Sequence, residues 1–147
     1  MEVRVEIQAV EDRKPKLPEY QTGGSAGADI FACLDGPLEI MPGKTAAVPT
    51  GFRMAIPEGY EAQIRPRSGL GLKHNVSLIN SPGTIDSDYR GEVKILLTNF
   101  GTEAFTVEPY QRIAQMVIAP VIQGRFEFCS ELPESERGTG GFGHTGG

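Results

Sequence analysis

The chain has 147 residues, 39% of them hydrophobic, and a formal net charge of −5. That is enough for one domain with a buried core, with too little positive charge for bulk nucleic-acid binding and no apolar run approaching the ~20 residues of a membrane helix. Two distant cysteines, Cys33 and Cys129, and two histidines offer no zinc-like spacing, so both thiols are expected reduced and buried.

The N-terminus, MEVRVEIQAV, is charged and alternating, with Val3, Val5 and Ile7 on one face. It does not read as a signal peptide, and the expected location is cytoplasmic, with a nuclear place or a removed leader left open. Period-two alternation returns at Phe52, Met54 and Ile56, at Tyr60, Ala62 and Ile64, and at Val93, Ile95 and Leu97. It predicts β-strands at each. IAQMVIAPVI (113–122) reads as a strand buried on both faces, and RFEF (125–128) alternates once more. Turn chemistry breaks the pattern at MPGK (41–44), IPEGY (56–60), SPGT (81–84) and FGTE (100–103). Only SGLGLKHN (68–75) predicts a helix, a short one weakened by its glycines. The expected fold class is therefore all-β, a sandwich, barrel or jelly roll. The ordered domain is expected over residues 1–130. Residues 131–147, ELPESERGTGGFGHTGG, read as a flexible Gly-rich arm.

Three stretches carry chemistry that a plain β-protein does not need. IRPRSGLGLKHN gathers Arg65, Arg67, Ser68, Lys73 and His74 in an acidic chain. Arginine forks, a hydroxyl and glycine-exposed N–H groups suit phosphate oxygens. NSPGTIDSDYRGEVKI crowds Asp86, Asp88, Tyr89, Arg90 and Glu92 after a turn. An extended run there puts Asp86, Asp88 and Arg90 on one face, where a carboxylate can activate water or meet Mg²⁺ through water. In the arm, Arg137 can fork onto a phosphate, and Phe142 is a ring with no core to join, of the kind that stacks on bases. RGTGGFG lacks the GKS or GKT ending of a P-loop. Together these groups point to nucleotide hydrolysis and leave the base open.

Five segments in order, AGADIFA (26–32), RPRSGLGLKH (65–74), GTIDSDYRGEV (83–93), RIAQMVIAP (112–120) and RGTGGFGHTG (137–146), resemble the motifs of the trimeric deoxyuridine triphosphatase (dUTPase) family. The resemblance implies a jelly-roll-like homotrimer with sites shared between subunits. It implies hydrolysis of dUTP to dUMP and pyrophosphate, which keeps uracil out of DNA and supplies dUMP for dTMP synthesis, with Mg²⁺ on the triphosphate. Asp86 then resembles the residue that activates the attacking water. Tyr89 resembles the ring that leaves no room for a ribose 2′-hydroxyl. Asn80 and the backbone of Gly83, Thr84 and Ile85 resemble the hairpin that reads uracil. Arg67, Ser68, Gly69, Gln115 and Lys94 resemble substrate contacts. Asp29 resembles the carboxylate that organises Arg67 and reaches the metal through water, with no direct protein ligand to it. Arg137, Gly141, Phe142, Gly143 and His144 resemble an arm that closes over substrate, His144 standing where the family commonly has a small hydroxyl residue.

A dCTP deaminase is the nearest rival, but it needs a glutamate facing the base, and NSPGTI carries no carboxylate. A non-catalytic nucleotide-binding or regulatory β-protein is the second rival. No nucleic-acid or membrane partner is expected.

Overall fold

The structure, a computed structural model, describes all 147 residues. Its eleven strands and one helix follow in chain order: β1 (Glu6–Ala9), β2 (Ala28–Phe31), β3 (Leu38–Ile40), β4 (Thr45–Pro49), β5 (Phe52–Ala55), β6 (Tyr60–Arg65), α1 (Ser68–His74), β7 (Val76–Leu78), β8 (Gly83–Ile85), β9 (Lys94–Asn99), β10 (Phe105–Val107) and β11 (Arg112–Pro120). Every pairing is antiparallel. One sheet runs β2-β11-β6-β8, a second β4-β9-β7, and two pairs, β1-β5 and β10-β3, complete the set. Small antiparallel sheets each need a second layer to cover an apolar face. Here they close a jelly-roll-like body around one core that includes Ile30, Phe52, Ile95, Leu97 and Ile113. The all-β expectation holds.

The strands that alternate in sequence are the ones whose inward residues fill this core. Phe52 and Met54, Ala62 and Ile64, and Val93, Ile95 and Leu97 are buried. Two buried polar residues hold the layers in register. Thr50 donates to the Val93 carbonyl (2.6 Å). Asn99 donates to the carbonyls of Ile40 (2.9 Å) and Glu103 (2.7 Å) and accepts from the Gly101 amide (2.9 Å). Satisfied in this way, they avoid the cost of an unpaired buried polar group. The turns fall where expected, with Gly43 and Gly59 in the left-handed region at φ 75° and 87°. SGLGLKH does form α1, ended by Asn75 in the left-handed conformation.

Four expectations change. RFEF forms no strand and pairs with none: its phenylalanines, Phe126 and Phe128, are fully exposed. β11 is buried on both faces only near its start, at Ile113, Ala114 and Met116; Val117 to Ala119 are half-buried. Asp86, Asp88 and Arg90 do not share an extended face, because residues 87–88 form a turn closed by the Tyr89 amide on the Asp86 carbonyl (3.2 Å). Cys33 is buried as expected, whereas Cys129 is exposed.

Candidate active site

A cation-rich cradle forms where β2, β11 and the end of β6 meet. Asp29 of β2 lies opposite Gln115 of β11, which lies opposite Arg65 of β6. The Asp29 carboxylate is nearly buried, and each oxygen accepts from a different guanidinium: Arg67 Nε at 3.2 Å and Arg112 Nη1 at 3.1 Å. Two cations on one anion leave net positive charge at the mouth of the cradle, and the shared carboxylate fixes both side chains. Arg67 Nη1 also donates to the Arg112 carbonyl (3.3 Å). Gln115 Nε2 donates to the Pro66 carbonyl (2.9 Å), so the carboxamide is aimed at the start of α1, where Arg67, Ser68 and Gly69 lie. Its Oε1 occupies the space a side chain at Gly27 would need, and its Cδ would lie 3.1 Å from a Cβ there. That is a packing reason for glycine in AGADIFA.

The second group of residues lines a cleft of ≈ 380 Å³ beside β8, within the size range of small-molecule sites. It includes Asn80, Gly83, Thr84, Ile85, Asp86, Tyr89 and Lys94. β8 is the last strand of its sheet. Its outer edge has no strand to pair with, so main-chain donors and acceptors there are free for a planar amide-like ligand. Gly83 is buried opposite Ile64, and the Asn80 Nδ2 would lie 3.0 Å from a Cβ placed on it. Glycine thus lets the Asn80 amide come close to the strand. The loop after β8 is tied to itself. Tyr89 donates its hydroxyl to the Glu92 carbonyl (3.1 Å), and Arg90 Nη1 donates to the carbonyls of Ser87 (2.6 Å) and Tyr89 (3.0 Å). Asp86 is exposed at its start.

Within one chain these two groups are apart. Ile85 pairs with Ala62 and Gly83 with Ile64, so Asp86 falls one step further, level with Glu61. Asp29 is level with Arg65. Four residues along the strands and three strands across separate the two carboxylates. At ~3.3 Å per residue and ~4.8 Å per strand that is on the order of 20 Å. No residue lines both the cradle and the cleft.

The arm meets neither. From Gln123 to Glu136 every residue is exposed, and beyond them the chain coils into short turns. Arg137 Nε donates to the Gly140 carbonyl (2.7 Å), and the His144 amide donates to the Gly141 carbonyl (3.1 Å). The His144 ring sits against Gly140. Phe142 is fully exposed, with Gly141 and Gly143 on either side.

The structure therefore collects Asp29, Arg67, Ser68, Gly69 and Gln115 in one place and Asn80, Gly83 to Asp86, Tyr89 and Lys94 in another. Arg137 and His144 converge only on Gly140. The basic cluster read at 65–74 disperses: Arg65 donates to Gln63 (2.7 Å) and the His74 ring packs 5.2 Å from that of Phe105. Sequence reasoning missed Arg112. Its role is visible only across the sheet, although its place at the head of RIAQMVIAP was a signal. Gln21 and Ser25, which also line the cradle, gave none.

The family model for dUTPase matches residues 13–146. The deoxyuridine 5′-triphosphate nucleotidohydrolase of Roseobacter denitrificans is 60% identical over 137 residues, 92% of this chain and 90% of its own. That of Desulfotalea psychrophila is 53% identical and covers 99% of both. Among solved structures, the dUTPase of Staphylococcus bacteriophage 80alpha with dUPNHPP superimposes with a TM-score of 0.88 at 25% identity, covering 97% of this chain and 98% of its own. A mutant dUTPase of phage phi11 of S. aureus, described with the coordination of a structural Mg(II) ion, shares the fold at a TM-score of 0.78 and 21% identity, over 87% of this chain and 97% of its own.

Proposed function

The chain belongs to the dUTPase family and hydrolyses dUTP to dUMP and pyrophosphate, and we propose that water attacks the α-phosphate in line, with Asp86 as the base. Uracil lies against the open edge of β8, read by the main chain of Gly83, Thr84 and Ile85 and by the Asn80 amide. Deoxyribose rests on Tyr89, which leaves no room for a 2′-hydroxyl. Arg67, Ser68, Gly69 and Gln115 hold the triphosphate, with Arg112 set beside them by Asp29, and Lys94 adds a positive charge beside the cleft. Asp86 accepts a proton as the water oxygen bonds to the α-phosphorus. The bond to the bridging oxygen breaks, and pyrophosphate leaves with its charge held by the cradle. Lower dUTP keeps uracil out of DNA, and dUMP supplies thymidylate synthesis.

The observation that carries this reading is the separation within one chain. A general base must reach the water beside the α-phosphate, and a phosphate grip on the order of 20 Å away cannot serve the same substrate. Pairing one copy's cleft with another copy's cradle removes the conflict, which supports a cyclic homotrimer with shared sites. The exposed Ile122, Phe126, Phe128 and Leu132 support it too, since large apolar groups in succession mark an interface. Residues 131–147 form the arm. Residues 130–147 span up to roughly 55–60 Å when extended, enough to reach a neighbouring site. There Arg137 forks onto phosphate, Phe142 stacks on uracil, Gly141 and Gly143 admit close N–H groups, and His144 donates to phosphate.

The Asp29 oxygens each retain a second lone pair after accepting from Arg67 and Arg112. They fit a magnesium ion held chiefly by the triphosphate, met by Asp29 through water, where the cation would neutralise phosphate charge. No helix is long and apolar enough to cross a membrane, and a cytoplasmic location is our reading from the bacterial relatives. Pyrophosphate release from a panel of deoxy- and ribonucleoside triphosphates tests the function. Release from dUTP with dUMP as co-product is expected, with no turnover of UTP and no ammonia from dCTP; ammonia would revive a deaminase.

A further inference from the structure

Gly91 is a glycine for reasons of space. Its φ lies outside the left-handed region, so its backbone would accept any side chain. What excludes one is the Tyr89 ring. A Cβ on Gly91 would collide with the Tyr89 hydroxyl, lie 2.6 Å from Cζ and 3.0 Å from Cε2, and real Cβ atoms essentially never come under 3.0 Å. The ring thus lies over the bare Gly91 backbone. Its hydroxyl is pinned by the bond to Glu92 O (3.1 Å), and the backbone that carries it is fixed by the Tyr89 amide on Asp86 O (3.2 Å). Tyr89 is otherwise about half exposed and lies outside the core cluster.

We propose that Gly91 is a positioning residue that sets sugar discrimination by giving the Tyr89 ring its seat. The proposal rests on the reading of Tyr89 as the sugar gate. A steric gate works only when the ring cannot yield, and on an exposed loop that rigidity comes from the groups the ring touches. A methyl at position 91 removes the seat. Whichever way the ring then moves, dUTP loses its fit, whereas UTP, already excluded, has little to lose. The two substrates converge.

The test compares Gly91→Ala, Tyr89→Ala and the double variant for kcat/KM on dUTP and UTP, with thermal unfolding of each. In Gly91→Ala, dUTP efficiency should fall about tenfold or more, as a misplaced positioning group allows, and the UTP/dUTP ratio should rise toward that of Tyr89→Ala. In the Tyr89→Ala background the same methyl should change neither by more than about twofold, since contacts act through the shared partner. A folded Gly91→Ala with an unchanged ratio, beside a Tyr89→Ala that raises it, overturns the proposal and spares the gate. A Tyr89→Ala that leaves the ratio unchanged sinks the gate, and the proposal with it. If Gly91→Ala does not fold, removing the ring should restore folding in the double variant; no restoration overturns the proposal.

Discussion

The cradle and the cleft are held together by different means. The cradle is built across a sheet: Asp29, Arg67 and Arg112 come from distant parts of the chain and meet through charge, and Gln115 joins them by its bond to the Pro66 carbonyl. The cleft is built along the chain, from Asn80 to Leu96 with Ile64 and Leu78 behind it, and its loop is tied by bonds spanning one to three residues. The first depends on the fold for its geometry, and the second carries much of its own. Each is preformed, and in the proposed mechanism neither catalyses alone.

The difference can be broken from either side. Asp86→Asn removes the charge proposed to make water nucleophilic and keeps the shape of the cleft. It should lower kcat by roughly a hundredfold or more, with binding of a non-hydrolysable dUTP analogue retained; near-normal turnover would mean that another group is the base. Asp29→Ala strikes the cradle. It leaves two guanidinium groups close together without their anion, a loss of about 1.5–3 kcal/mol for bonds to charged groups. KM for dUTP should rise about ten- to a hundredfold, with a lowered melting temperature; an unchanged KM would show that the cradle does not bind substrate.

Phe142→Ala tests the arm, which belongs to neither group. Loss of one stacked base is worth about 1–3 kcal/mol, so analogue affinity should fall with the fold intact, and a calorimetric titration reads it. Arg90→Ala gives the smallest effect. It removes two bonds that buckle the loop behind Asp86, worth about 0.5–1.5 kcal/mol each. A several-fold loss of kcat/KM is expected, and pyrophosphate release measures it.

The same contrast explains what the sequence revealed. The cleft is contiguous, so NSPGTIDSDYRGEV could be read as a unit, although the turn at 87–88 hid behind its alternation. β6 and β9 were legible because one face of each meets the core. β2 was not, because Ala28, Asp29, Ile30 and Phe31 are all buried and show no period two. TAAVP lacks large residues, and β3, β7 and β10 are three residues long, too short for a pattern. RFEF alternates without a partner, and a strand needs one. Arg112 escaped notice because its partner Asp29 lies 83 residues away in the chain. The family's motif order supplied the proposed active-site roles that composition and periodicity could not.

The shared site is the central claim, and mixing two inactive variants tests it most directly. One is Asp86→Asn, with its cradle intact. The other is Arg67→Ala with Ser68→Ala, with its cleft intact. They are unfolded and refolded together at equal concentration, and mixed assemblies are verified by mass spectrometry. If one copy's cleft works with another's cradle, activity should return to about a quarter of wild type for random mixing in a cyclic assembly. Verified mixed assemblies with no activity would contradict the account, because every site would then draw both halves from one chain.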